Sequence, residues 1–180
     1  LNLAFDQVIK EYGRLLTRVA ASYEANESLR QELYQDICMA VWQALQGFKG
    51  EASLKTYLLR IAHNRCITHV SKEVNRVSTE PYCEITSKQE NQQHPNQRVL
   101  KAGITKHTEP EQSLIKEDLL EVLMRAIRQL KLPARQVITL SLEGLSYNEI
   151  ADVTGLTVTN VGAIITRTKK ELNRQMQNES

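Results

Sequence analysis

The sequence predicts an all-α fold made of two small helical domains joined by a flexible linker. Three observations carry this. Apolar residues recur at i, i+3, i+4 and i+7 through both ends of the chain, with no strand-like alternation. Glycine is sparse at seven residues and aromatics make up 5%, where a large β-sandwich would use more of both. Between the two periodic ends lies a long stretch where periodicity vanishes. Inside one compact domain such a stretch is improbable; between two domains it is natural.

The first predicted helix carries Phe5, Val8, Ile9, Tyr12, Leu15, Leu16, Val19, Ala20 and Tyr23 on one face. The second begins at Ser28, where Ser28 and Gln31 have capping-box spacing. Its stripe is Leu29, Leu33, Ile37, Ala40, Val41, Ala44 and Leu45, and Gly47 and Gly50 end it around Phe48 and Lys49. Ser53 caps a third helix bearing Leu54, Tyr57, Leu58, Ile61 and Ala62, which continues to about Lys72. Residues 77–112 hold Pro81, Pro95, Pro110 and the polar run from Ser87 to Gln93. They bury too little apolar surface to offset chain entropy and read as the linker. Order returns with Leu119, Leu120, Leu123, Met124, Ile127 and Leu130. Pro133 suits the first turn of a further helix carrying Val137, Ile138 and Leu140, and Gly144 suits its end. The domains are therefore 1–76 and 113–180.

Hydrophobic residues make up 41% and charged residues 24%, ordinary for a globular protein, and the net charge is only +2. Three cysteines without a CxxC spacing argue against a disulfide framework and for a reducing, cytoplasmic compartment. No apolar run approaches the roughly 18 residues of a membrane span, and no signal peptide is expected at the N-terminus. Gly-rich phosphate loops, HExxH and Gly-x-Ser-x-Gly are missing from the sequence, so neither catalysis nor a cofactor is expected. His63, Cys66 and His69 step around their helix by about 60° each, and no fourth ligand has motif spacing, so no metal is expected.

The sharpest local signal lies at residues 146–172. Ser146-Tyr147-Asn148-Glu149 is an S-x-x-E capping box. Ile150, Ala151 and Val153 face inward, Gly155 permits a tight turn, Leu156 plugs the core and Thr157 caps the next helix. Val161, Ile164, Ile165, Thr168 and Leu172 supply that helix's buried stripe. A short helix, a Gly-containing turn and a second helix make a helix-turn-helix, whose second helix enters the major groove of DNA. The DNA-facing residues expected are Thr157, Thr159, Asn160, Gly162, Ala163, Thr166, Arg167, Lys169 and Lys170. Arg167, Lys169, Lys170 and Arg174 oppose only Glu171 between Val161 and Met176, a local net of +3 suited to phosphates.

The N-terminal half identifies a family. The run from Glu32 to Leu45 resembles region 2.2 of bacterial sigma factors, and Phe48 to Asn64 is similar to the segment that follows it in that family. Leu132-Pro133-Ala134-Arg135 and Glu143 to Ala151 resemble region 4. No recognisable region 1.1 or region 3 domain accompanies them, as in the extracytoplasmic-function group. The resemblance implies a non-enzymatic promoter-specificity subunit of RNA polymerase. It implies docking of the region 2.2 helix on the β′ coiled coil through Glu32, Gln35, Asp36 and Met39, and of region 4 on the β flap. It also implies recognition of the −10 element through Phe48, Lys49, Ser53, Lys55, Arg60, His63, Asn64 and Arg65, and an anti-sigma partner. Trp42 reads as core, and Phe48 as either a core plug or a stacking surface. From Lys49 to Arg76 six basic residues oppose two acids, a net of +4 that suits single-stranded DNA.

Three departures stand out. Tyr57 replaces a Trp usual in the family, and Glu32 and Asp36 exchange the usual acids. Val161-Gly162-Ala163-Ile164 stands where V-K-S-R or V-R-S-R is common, which removes two cations and places a glycine costing about 1 kcal/mol of helix propensity. The −35 reading is therefore expected to be altered. Two other readings remain at this point: a free-standing helix-turn-helix regulator, and a sigma-like interaction protein with degenerate promoter binding.

Overall fold

The computed structural model describes residues 5–79 and 110–178, with side chains placed over 5–74 and 119–177. The described residues form seven helices and no strand: α1 Phe5–Ala21, α2 Glu27–Leu45, α3 Leu54–Thr79, α4 Pro110–Gln129, α5 Leu132–Leu142, α6 Tyr147–Thr154 and α7 Val158–Asn178. The expected linker at 77–112 is shorter at both ends, because α3 runs on to Thr79 and α4 starts at Pro110. Its central part, 80–109, lies outside the described residues.

Helices α1, α2 and α3 pack mutually. Val8, Leu15, Leu16, Val19 and Ala20 of α1 meet Leu33, Ile37 and Val41 of α2 and Leu58, Leu59, Ala62 and Cys66 of α3. The stripes anticipated from periodicity are buried or packed partly buried against this core, and on α3 Leu59 and His63, outside the anticipated stripe, are buried as well. The start of α2 differs from expectation. Asn26, not Ser28, is the cap: its Oδ1 accepts from the Leu29 N–H at 3.1 Å. Ser28 falls inside the first turn, where it cannot cap. Asn26 is itself held by its own N–H donating to Glu24 Oε1 at 2.8 Å. Ser53 caps α3 as expected, accepting from the Thr56 N–H at 3.1 Å.

In the second half α4, α5 and α7 close around Met124, Ala126, Ile127, Leu130, Ile138 and Leu172. Pro133 sits in the first turn of α5. The other end of α5 is a Schellman stop: Leu145 N–H donates to Leu140 O at 3.2 Å and Gly144 N–H to Ser141 O at 3.0 Å. Gly144 holds φ +83° there, a left-handed conformation that favours glycine.

The two halves are packed together, an arrangement that periodicity did not reveal. Val137, Leu140, Leu145, Ile150, Ala151, Val161 and Ile165 belong to the same apolar cluster as the core of α1–α3. Helix α3 contacts both α5 and α6. Arg18 of α1 forms a two-pronged ion pair with Glu143, at 2.8 and 2.7 Å. Arg128 donates to the Ala21 carbonyl at 2.9 Å, and the Arg135 guanidinium lies 5.5 Å from the centre of the Tyr23 ring.

Candidate nucleic-acid and polymerase interface

Residues 146–178 fold as the helix-turn-helix expected from their punctuation. Glu149 N–H donates to Ser146 Oγ at 3.3 Å, and Ser146 N–H donates to Glu149 Oε2 at 2.9 Å, the reciprocal pair of a capping box. The Ser146 N–H and hydroxyl, with a further hydrogen bond from Thr56, hold the Glu149 carboxyl below its ordinary pKa. Gly155 makes the turn at φ +75°, and its N–H donates to Ala151 O at 2.8 Å. Thr157 Oγ1 then accepts from the Asn160 N–H at 3.3 Å and starts α7.

On α7, Val161, Ile165, Thr168 and Leu172 turn inward. Thr157, Thr159, Asn160, Thr166, Arg167, Lys169 and Lys170, seven of the nine residues anticipated to face outward, are exposed. Thr166 donates its hydroxyl to Gly162 O at 3.0 Å. Gly162 and Ala163 are half-buried rather than open. A Cβ on Gly162 would meet the ring of Tyr147 at 3.5 Å. Tyr147, at the start of α6 and 47% exposed, is therefore part of this surface. Sequence reasoning treated it only as filler inside the capping box; its bulk at the head of a helix-turn-helix was the available signal.

On α2, Glu32, Gln35 and Asp36 are exposed and Met39 is 60% exposed. Trp42 is 50% exposed, which overturns its assignment to the core. The geometry explains why. Leu33, Ile37, Ala40, Val41 and Leu45 complete the buried stripe. One residue beyond Val41 the helix has turned about 100°, and Trp42 lands two turns above Gln35 on Met39's side. A broad, exposed indole and thioether beside a carboxylate and an amide is the composition of an interface anchor.

The loop before α3 holds Phe48 half-buried, its ring 4.9 Å from that of Tyr57. Tyr57 in turn donates its hydroxyl to Ala44 O at 3.1 Å, which ties the aromatic pair to the end of α2. Gly50 makes the loop's turn at φ +77°. Lys49, Ser53, Arg60, Asn64 and Arg65 are exposed and Lys55 is half-buried. A cleft of about 430 Å³ runs between α2 and α3 beside Asn64 and Arg65. A second, of about 670 Å³, is lined by Phe48, Lys49, Ser53, Tyr57 and Arg60 on one side and by Glu149 and Asp152 on the other.

His63 must be withdrawn from the DNA-facing set. It is fully buried, stacked edge-on against Tyr23, with Nδ1 2.9 Å from the Tyr23 hydroxyl. Its position one turn from Leu59 and beside Ala62 turns it toward α1 and away from solvent. Burial lowers its pKa to about 3, so the imidazole is neutral and offers DNA neither charge nor contact. Nε2 has no hydrogen-bond partner among the described residues. Below it, burial pushes the Cys66 thiol up to about 12, which makes it an inert packing group. His69 pairs instead with Glu24 at 2.9 Å. No helix is long and apolar enough to cross a membrane, among the described residues.

Comparison with known proteins agrees with this layout. The model for Sigma-70 region 2 matches residues 8–76, and that for Sigma-70, region 4 matches residues 120–172. Two helical units in this order, the second ending in a helix-turn-helix, define an RNA polymerase sigma factor of the sigma-70 type. The RNA polymerase sigma-H factor of Pseudomonas aeruginosa is 25% identical over 97% of this chain and 86% of its own length. The ECF RNA polymerase sigma-E factor of Escherichia coli K12 is 25% identical over 97% of this chain and 87% of its own. The chain belongs to the extracytoplasmic-function group of that family. Two solved structures share the fold. RpoE of Bartonella quintana, bound to the anti-sigma factor NepR, has a TM-score of 0.68 at 20% identity, covering 96% of each chain. CnrH, bound to the cytosolic domain of CnrY, has 0.61 at 21% identity over 98% of this chain and 89% of the other.

Proposed function

We propose that this sigma factor works in the cytoplasm, binding core RNA polymerase through the exposed face of α2 and reading promoters at two separate surfaces. Glu32, Gln35, Asp36 and Met39, joined by Trp42, dock on the β′ coiled coil, with the indole as the apolar anchor and the acids setting register. The loop and α3 take the −10 strand. Lys49, Lys55, Arg60 and Arg65 neutralise phosphates, Ser53 and Asn64 supply hydrogen bonds, and the Phe48–Tyr57 pair offers a stacking surface. Strand opening needs no nucleotide hydrolysis or cofactor, because tighter binding to the opened strand shifts the equilibrium.

The −35 duplex is met by α7. Thr157, Thr159 and Asn160 reach base edges, while Arg167, Lys169 and Lys170 hold phosphates. Gly162 and Ala163 bring the helix backbone close to the groove. Region 4 rests on the β flap, and an anti-sigma factor binds the free protein, as NepR binds RpoE of Bartonella quintana. No catalytic step is assigned to the chain.

The observation carrying this reading is the exposed Gln35–Met39–Trp42 face on the same chain as a capped helix-turn-helix with a cationic outer surface. Transcription with purified core polymerase and a genomic promoter library tests it. RNA starts should appear only with the protein, share two upstream elements, and vanish when Gln35 and Asp36 are changed. Tight core binding with no starts would leave a degenerate interaction protein. No core binding, with duplex binding by a dimer, would leave a free-standing regulator.

A further inference from the structure

We propose that Met39 is an oxidation site, and that peroxide switches off the polymerase-docking face of α2 by turning its thioether into a sulfoxide. The proposal rests on the docking role given to that face above. It adds a chemical control that docking alone does not require.

The sulfur groups of the chain differ in access. Met39 is 60% exposed, whereas Met124 is buried in the core of the second half and Met176 is half-buried near the end of α7. The thiols among the described residues compete poorly. Cys66 is fully buried, and burial pushes its pKa up to about 12. Cys38 is half-buried, and burial raises its pKa although the Tyr34 hydroxyl opposes the shift. Peroxide attacks the thiolate, so a raised pKa slows the reaction at both. A thioether has no proton to lose, and access governs its rate.

Met39 sits where an added oxygen matters. At about 100° per residue, Glu32, Gln35, Met39 and Trp42 fall within about 80° of one another around α2. Met39 lies inside that arc, one turn beyond Gln35 and one turn before the half-exposed indole of Trp42. Docking strips water from this patch. The thioether gives it up readily, because its sulfur is only a weak acceptor. A sulfoxide oxygen is a strong acceptor, and burying it unpaired opposes association. The step balances without a cofactor or second thiol. The sulfur lone pair attacks one oxygen of hydrogen peroxide, an S–O bond forms and the O–O bond breaks. The other oxygen leaves as water after proton transfer. Sulfur gives up two electrons and the peroxide accepts them. Docking covers the sulfur, so oxidation acts on free chains, and methionine sulfoxide reductases reverse it.

The test uses the full chain. It is treated with hydrogen peroxide, the peroxide is removed with catalase, and oxygen uptake is mapped by peptide mass spectrometry. Binding to immobilised core polymerase is then measured by surface plasmon resonance. The peptide holding Met39 should gain one oxygen ahead of those holding Met124 and Met176. The treated chain should bind core about tenfold more weakly. Methionine sulfoxide reductases of both stereochemical classes, with dithiothreitol, should restore the affinity. Met39→Leu is treated in the same way and compared with its own untreated state. It should lose nothing, whereas damage at Trp42 or Cys83 would weaken it as much as the parent. Earlier oxidation of Met124 or Met176, or an equal loss in Met39→Leu, overturns the proposal. An untreated chain that fails to bind core overturns the docking reading and the switch together. Binding that survives oxygen uptake at Met39 overturns the switch alone.

Discussion

Acid should destabilise this protein through His63 between neutral pH and pH 5. The imidazole is fully buried and its pKa lies near 3, against about 6.5 in the unfolded chain. The folded state therefore disfavours the proton, and the unfolded state takes it up. The contribution of His63 is complete above pH 6.5 and is lost as pH falls from there toward 3. At pH 5 the unfolded chain gains about 2 kcal/mol from protonation that the folded chain does not. The result changes little for any folded-state value below about 4. Urea unfolding at pH 7 and pH 5 measures it, with His63→Asn as the reference, since the amide oxygen can still face the Tyr23 hydroxyl. The variant should be less stable at pH 7, through lost packing, but should close about 2 kcal/mol of that gap by pH 5. A gap that stays constant between the two pH values would refute the reasoning, because it would mean that His63 ionises freely in the folded protein.

Trp42→Ala should lower stability by less than about 1 kcal/mol, because half the indole is in solvent. It should weaken core polymerase binding by about 2 kcal/mol, which surface plasmon resonance with immobilised core would resolve. Ser146→Ala removes the cap of α6 and should cost about 1 kcal/mol in thermal or urea unfolding. Gly162→Arg restores a cation where the Tyr147 ring leaves room for a Cβ at ordinary contact distance. It should tighten duplex binding and steepen the dependence of log K on log salt by about one unit. Arg167→Ala should reduce duplex affinity strongly at every sequence tested while changing base preference little; selective loss at one base pair would contradict its role as a phosphate contact.

Much of the fold could be read from the chain because its helices are marked by both periodicity and punctuation. The S-x-x-E box at Ser146, the glycines at 144 and 155, and the Leu33–Ile37–Val41 stripe each combine two local signals that agree, and each is found in place. The expectations that failed each overlooked the angle a residue takes around its helix or the residue at which the helix starts. Trp42 was assigned inward because tryptophan is large, although its helical position aligned it with Gln35. The family resemblance placed His63 among the DNA-facing residues, although it neighbours Ala62 and sits one turn from Leu59 on the inner side. Ser28 has capping-box spacing to Gln31, but the helix starts one residue earlier and Asn26 caps it. The packing of the two halves had no sequence signature at all. Periodicity tells which side of α5 and α6 is apolar, and not whether that side finishes against α7 or against α3.

Glu149 works with both of its oxygens at once. Oε2 accepts from the Ser146 N–H and completes a turn between residues three apart, while Oε1 receives the Thr56 hydroxyl from a helix ninety-three residues away. The short-range bond forms on the timescale of a single helical turn, long before the halves can meet. By then the carboxylate has already lost its rotational freedom, and little entropy remains to be surrendered when α3 arrives. The same coupling constrains inheritance. A substitution at 149 that spares the long-range contact must also preserve the helix start, so the two traits cannot drift apart one mutation at a time.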